Sequence, residues 1–94
     1  MPTFAVEYTY HPDRATLRDE HRPAHRLWLQ TGHEAGVVLM VGAYHDGSGA
    51  LLVLRADDEA AAAEVLAHDP FALAGAIDDT RIKAWSNLYG PFGD

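Results

Sequence analysis

The sequence has no cysteine, few basic residues and no long hydrophobic run. The lack of cysteine excludes disulfide bonds, a thiolate nucleophile and a zinc site made of cysteines. Seven basic residues stand against 14 acidic ones, and the net charge of −7 argues against binding to a nucleic-acid backbone. The longest uncharged apolar run, residues 36–44, is far shorter than the roughly 20 residues that cross a bilayer. Without a basic or apolar leader at the N-terminus, we expect no signal peptide and a cytoplasmic protein.

The remaining composition is that of a folded globular domain. Hydrophobic residues make up 48% and charged residues 22% of the 94 residues, a length that suits one domain and not two. We therefore predict a single domain over 1–94, with a core over about 3–88 and a loose tail over 89–94.

Alternation predicts the first strand over 4–10, with Phe4, Val6, Tyr8 and Tyr10 on one face. The polar residues 14–20 are expected to form at most a short helical turn. Pro23 is suited to the first turn of a helix, which we predict over 23–35. Its expected buried stripe is formed by small and apolar side chains: Ala24, Leu27, Trp28, Thr31 and Ala35.

The remaining elements are short and bounded by Gly, Pro or Asp: strands over 37–42, 50–56 and 81–85, a helix over 59–67 and a turn over 69–75. The order predicts an α+β, ferredoxin-like βαββαβ fold, a four-stranded antiparallel sheet with two main helices on one face. Two of the strands are apolar on both faces, so the other face needs a cover. A second copy of the chain is the simplest cover, which predicts a homodimer.

His25 is the first candidate for chemistry. It falls in the first turn of the predicted helix, where the helix dipole favours the neutral imidazole that acts as a base. The alternative is a half-buried histidine bonded to a backbone group. His21 lies four residues earlier, but Pro23 separates the two imidazoles and no third ligand is evident. We therefore expect no metal site and no cofactor.

Asp69 is the second candidate. It precedes Pro70, which favours an extended conformation from which its carboxylate can cap the following turn. A capping carboxylate can also orient an imidazole, so a structural role and a catalytic role are compatible.

A family resemblance rests on pieces spread over about 4–85: Phe4-Ala5-Val6, Arg22-Pro23-Ala24-His25, Glu34-Ala35-Gly36-Val37 leading to Gly42, Glu59-Ala60-Ala61, Asp69-Pro70-Phe71, Ala74-Gly75 and Lys83-Ala84-Trp85. With these motifs the sequence resembles the YCII-related (YciI-like) family of the dimeric α/β-barrel superfamily. The resemblance implies a ferredoxin-like fold that dimerises through its sheets. It also implies a pair formed by His25 and Asp69 at a small cleft, and lyase-type (dehydrochlorinase) chemistry among the activities suggested. One departure is Gly42-Ala43, where the family often has Gly-Pro.

We accordingly expect an enzyme in which His25, oriented by Asp69, is a general acid/base acting as a lyase or isomerase on a small cyclic or carboxylated metabolite. Arg22 is suited to hold an anionic group of that ligand. The other expected ligand contacts are Tyr8, Trp28, Gly42 and Phe71, although aromatic side chains such as Tyr8 and Trp28 more often belong to a core. The alternative function is a non-catalytic, dimeric module that binds a small ligand or serves another protein.

Overall fold

Four antiparallel strands form one sheet in the computed structural model, which describes residues 2–91. The elements in chain order are β1 (Thr3–Thr9), α1 (Ala15–Glu34), β2 (Val38–Ala43), β3 (Gly49–Arg55), α2 (Glu59–Ala67), α3 (Pro70–Leu73) and β4 (Asp79–Trp85). The strand order is β2-β3-β1-β4, and each neighbouring pair is antiparallel. The predicted ferredoxin-like α+β fold is therefore confirmed.

The core lies between one face of the sheet and the helices. Phe4, Val6 and Tyr8 of β1 are buried there, as the alternation predicted. They stand opposite Leu54, Leu52 and Ala50 of β3. The core side chains that α2 adds are Ala62 and Leu66. Each buried large apolar side chain contributes about 1.5–3 kcal/mol, so this layer fixes the register of β1 against β3.

Helix α1 begins at Ala15, so the predicted start at Pro23 is wrong. The proline that precedes the helix is Pro12, which opens a single 3₁₀ turn, Pro12–Arg14. Pro23 lies inside α1, where an interior proline costs about 3 kcal/mol. The first half of the helix is held by Arg18, a buried side chain that donates to the carbonyls of His11 at 2.9 Å and Ala76 at 3.3 Å.

The buried face of α1 also differs from the prediction. Four of the five stripe residues are exposed, Leu27 to 64%, and only Trp28 is half-buried. The fully buried positions are Arg18 and His25. These two polar side chains have hydrogen-bond partners beneath the helix, and burying either without a partner costs more free energy than exposing a leucine. Their partners therefore set the orientation of α1.

The turns follow the predicted chemistry. Gly36, with φ of 78°, follows the end of α1, and Gly47, with φ of 76°, lies in the β2–β3 hairpin. Asp58 caps α2 by accepting the backbone N–H of Ala61 at 2.8 Å. The predicted tail over 89–94 lies partly outside the described residues, which end at Pro91. Between residues 2 and 91, no helix combines the length and hydrophobicity needed to cross a membrane.

The second face of the sheet is not covered by the helices. The side chains on it include exposed apolar and charged residues, which we call the open face: Met40, Leu51 and Trp85, with Glu7, Arg81 and Lys83. Arg81 Nη1 lies 3.8 Å from Glu7 Oε1 on the neighbouring strand. This face therefore combines apolar surface with charges of both signs.

Candidate active site

Asp69 is the centre of the candidate site. It is the N-cap of α3, and the proline that follows holds it in an extended conformation, with φ of −60° and ψ of 126°. Its Oδ1 accepts hydrogen bonds from the Phe71 backbone N–H at 2.9 Å and from His25 Nδ1 at 2.7 Å. Its Oδ2 accepts a hydrogen bond from the Tyr8 hydroxyl at 2.8 Å. Because Asp69 is 0% exposed, these three donors take the place of water around its carboxylate.

His25 reaches Asp69 from the middle of α1. Its predicted place in a first helical turn is wrong, so the helix dipole does not explain its properties. Its neighbours are aromatic rings instead. The Phe71 ring stacks on the imidazole with centroids 3.8 Å apart and planes 2° apart, and the Trp28 ring lies 6.5 Å away at 23°. This packing leaves His25 8% exposed and fixes the plane of its ring.

The hydrogen-bond pattern places a proton on Nδ1 of the imidazole. The Phe71 amide and the Tyr8 hydroxyl both donate to Asp69, so its carboxylate is an acceptor and His25 Nδ1 is the third donor. A neutral imidazole with its proton on Nδ1 carries a lone pair on Nε2. Within residues 2–91, Nε2 has no hydrogen-bond partner. The arrangement leaves one ring nitrogen available as a base.

Tyr8 reaches Asp69 from the core, which is the role that the sequence suggested for it besides a ligand contact. It is fully buried in the core beneath the helices. Burial, together with the negative charge of Asp69, raises the pKa of Tyr8 well above its ordinary value of 10.0. The Tyr8 hydroxyl therefore keeps its proton and remains a donor to Asp69 over the neutral range.

A pocket of about 230 Å³ opens beside His25. Of the expected ligand contacts, Arg22, Gly42 and Phe71 line it together with His25, whereas Trp28 does not. Gly42 lies opposite Leu51 in the β2–β3 register, so it adds backbone to the pocket rim while its side-chain position belongs to the open face.

Four further lining residues were not predicted: Tyr10, Arg26, Leu29 and Val41. Tyr10 continues the alternation of Phe4, Val6 and Tyr8, so the pattern of β1 already placed it on the correct face. Leu29 lies one helical turn after His25, but the buried stripe predicted for α1 did not include the face of the helix that carries these two residues. Val41 reaches the pocket only because β2 is an edge strand beside β3, which no local pattern indicates.

The charge around the pocket is positive in an otherwise acidic chain. Arg22 and Arg26 lie one turn apart on α1 and both line the opening. Arg22 forms an ion pair with Asp19, and its guanidinium lies 6.0 Å from the centre of the Phe71 ring. Burial and the charge of Asp69 raise the pKa of Tyr10 to about 12, although nearby arginines oppose the shift. The pocket thus offers cations and a protonated phenol to a ligand.

A metal centre is not indicated by the described part of the chain. Over residues 2–91, no three His, Asp or Glu side chains come together as a metal site requires. The Nδ1 atom of His25, which the sequence placed four residues from His21, is bonded to Asp69 instead.

Comparisons with known proteins agree with this architecture. The family model of the YCII-related domain matches residues 3–86. One similar solved structure is the 5-chloro-2-hydroxyhydroquinone dehydrochlorinase (TftG) of Burkholderia phenoliruptrix in complex with 2,5-dihydroxybenzoquinone, with a TM-score of 0.78. The two chains are 19% identical over 89% of this chain and 93% of that one, which establishes a common fold. No curated protein matches the sequence.

Proposed function

Because the chain belongs to the YCII-related family, we propose that it is a small-molecule enzyme in which His25 and Asp69 form a general acid/base pair. The observation that carries the proposal is the 2.7 Å hydrogen bond from His25 Nδ1 to Asp69 Oδ1 beside the pocket. It orients the imidazole and leaves Nε2 for a ligand. The proposed chemistry is of the lyase type, on a small cyclic or carboxylated compound. The dehydrochlorinase activity named for the similar structure supports this class.

The proposed step is an elimination that needs no oxidant or reductant. On a halogenated hydroxybenzene, the substrate first takes its keto form, in which a hydroxyl proton has moved to the ring carbon that bears the halogen. His25 Nε2 then takes a proton from a remaining acidic O–H or C–H. The electron pair left behind forms a new double bond, and the leaving group departs as an anion with the electrons of the broken bond. Asp69 accepts the Nδ1 hydrogen bond throughout and stabilises the imidazolium that forms. The imidazolium then returns its proton to water.

Arg22 and Arg26 are proposed to bind the ligand through an anionic group. Arg22 is half-buried and lies over the edge of the pocket that His25 lines. A guanidinium can bind a carboxylate or phenolate through two parallel hydrogen bonds. An anionic ring held by these cations would lie close to Nε2 of His25.

The test is an elimination assay with 5-chloro-2-hydroxyhydroquinone and related halogenated hydroxybenzenes, with chloride release as the readout. The His25→Ala variant is expected to lose activity by about 10²–10⁴-fold, the usual contribution of a general base. His68→Ala is the matched control, because His68 is exposed and its side chain pairs with Glu64 at 3.2 Å on the surface. Full activity in the His25→Ala variant, with its fold intact by circular dichroism, contradicts the proposal.

A non-catalytic binding module is the competing function, and the same variants separate it from the enzyme. In that case a ligand such as 2,5-dihydroxybenzoquinone binds wild type without turnover. It also binds equally well to a variant in which His25 and Asp69 are both alanine.

We further propose that the protein is a homodimer joined through the open face. Met40, Leu51 and Trp85 expose apolar surface there, and Glu7, Arg81 and Lys83 supply charges of both signs that a second copy can match. The test is sedimentation velocity at micromolar concentration. A dimer is expected for wild type and a shift to monomer for Leu51→Arg. Leu27→Arg, on the exposed side of α1, is the control and keeps the wild-type state. A monomeric wild type contradicts this proposal.

A further inference from the structure

Three tyrosines have hydroxyl groups in well-defined surroundings, and one of them lacks a partner. The Tyr8 hydroxyl donates to Asp69 at 2.8 Å, and the Tyr44 hydroxyl donates to Glu7 at 2.5 Å. The Tyr10 hydroxyl makes no hydrogen bond to any residue between 2 and 91. Tyr10 is half-buried and its hydroxyl is not fully enclosed by protein, so its hydrogen-bond partner comes from outside the chain, as water or as a ligand. Since Tyr10 lines the pocket, that partner can come from a ligand.

Tyr10 is held in place by its neighbours. Its ring meets the Phe71 ring edge-on, with centroids 6.0 Å apart and planes at 81°. The guanidinium of Arg18 lies 4.5 Å from the centre of the Tyr10 ring. Phe71 also stacks on His25, so one phenylalanine ring touches both the phenol and the imidazole. The two pocket-lining rings are therefore fixed relative to each other before any ligand binds.

The electrostatics keep the Tyr10 hydroxyl protonated. The charges that act on the Tyr10 phenol belong to Asp69, Arg18 and Arg22. Asp69 is the partner of His25, and Arg22 lines the pocket. With its pKa raised to about 12, the Tyr10 hydroxyl is protonated at neutral pH and acts as a donor.

We infer that Tyr10 is a second catalytic residue, whose hydroxyl donates a hydrogen bond to a ring oxygen of the substrate. This inference rests on the proposed function and deepens it, because it narrows the substrates to rings that bear a hydroxyl or carbonyl oxygen. When His25 takes the proton, negative charge moves through the ring onto that oxygen. The Tyr10 O–H stabilises this charge without giving up its own proton, and the leaving group then departs with its bonding electrons.

The test compares Tyr10→Phe with Tyr44→Phe in the chloride-release assay. Both variants lose one hydroxyl and keep the ring, and Tyr44 lies away from His25, hydrogen bonded to Glu7. Loss of a donor to a developing oxyanion is expected to lower kcat by about 10²–10³-fold. KM is expected to change much less, and Tyr44→Phe is expected to match wild type. An unchanged melting temperature in Tyr10→Phe separates this effect from a loss of folding.

The outcomes distinguish the inference from the proposed function. An unchanged kcat in Tyr10→Phe, with activity lost in His25→Ala, overturns the role of Tyr10 and leaves the His25–Asp69 pair intact. Full activity in both variants overturns both. If no substrate is turned over, binding of 2,5-dihydroxybenzoquinone is measured instead. The dissociation constant is then expected to rise about tenfold in Tyr10→Phe. Equal affinity in wild type and Tyr10→Phe, or no binding to wild type, overturns the inference.

Discussion

Asp58 and Asp69 are both helix N-caps, and their local geometry is almost the same. Asp58 accepts the backbone N–H of Ala61 at 2.8 Å, and Asp69 accepts that of Phe71 at 2.9 Å. Asp58 is exposed, whereas Asp69 is fully buried and has two further donors, His25 and Tyr8. The difference shows that a local capping signal does not reveal function. What distinguishes the two carboxylates is the set of partners that distant parts of the chain bring to one of them.

The largest expected effect comes from removing the charge of Asp69. In Asp69→Asn one oxygen is replaced by an amide group that cannot accept a hydrogen bond, so one of the three donors is left without a partner. A buried donor without a partner costs about 2–3 kcal/mol, and the free energy of unfolding from urea titration is expected to fall by that amount. A decrease in the free energy of unfolding of less than about 0.5 kcal/mol would show that the three hydrogen bonds to Asp69 do not stabilise the fold.

Removing the Tyr8 hydroxyl is expected to have a smaller effect, with a distinctive pH dependence. Tyr8→Phe leaves Asp69 Oδ2 without a donor and lowers the free energy of unfolding by about 1–2 kcal/mol at neutral pH. The raised pKa of Tyr8 keeps the folded protein protonated at a pH where the unfolded chain loses the proton. The contribution of Tyr8 to the stability of the wild-type protein should therefore be fully present below about pH 10 and fall as the pH rises above it.

The alkaline decrease is where wild type and Tyr8→Phe are expected to diverge. Above about pH 10 the unfolded wild-type chain binds one proton fewer than the folded protein, so its free energy of unfolding falls by about 1.4 kcal/mol per pH unit. The Tyr8→Phe variant lacks this contribution. Urea titrations at about pH 8 and about pH 11 measure it. Parallel pH profiles for the two proteins would mean that Tyr8 titrates normally. Tyr89→Phe is the control, since Tyr89 is 96% exposed and lies far from the core.

The smallest expected effects are those at Asp58. Asp58→Ala removes the cap of α2 and is expected to cost about 1 kcal/mol. Asp58→Asn keeps a good capping side chain and is expected to change stability by only a few tenths of a kcal/mol. Melting curves of the two variants beside Asp69→Asn complete the comparison. Equal losses in Asp58→Asn and Asp69→Asn would remove the distinction between the two caps.

Local patterns predicted the strands, the hairpin and the capped helix α2, because alternation and turn chemistry act over a few residues. Helix α1 was predicted only in its second half, since Pro23 is a strong start signal and the support from Arg18 comes from distant carbonyls. The dependence on distant partners also explains why the buried face of α1 was predicted wrongly. The residues that face the sheet are polar, and only their partners make their burial favourable.

The candidate site was predicted more fully by its resemblance to a family than by its own patterns. His25 and Asp69 are 44 residues apart in sequence, and no periodicity links them. Tyr8 is 61 residues from Asp69, and its hydrogen bond becomes visible only when β1 lies beneath α3. The place of Tyr10 could have been predicted, because the alternation of β1 put it on the same face as Tyr8. Its missing partner, however, is a property of the folded chain alone.

The stacked ring of Phe71 restricts how the imidazole of the proposed acid/base pair can exchange protons. One face of His25 lies flat against Phe71, and Nδ1 is tied to Asp69. The ring cannot turn over to exchange its two nitrogens while those contacts last. In the proposed enzyme, a proton that arrives at Nε2 therefore leaves from Nε2, on the side of the pocket that His25 lines. Release of the proposed product and return of that proton would then use the same opening.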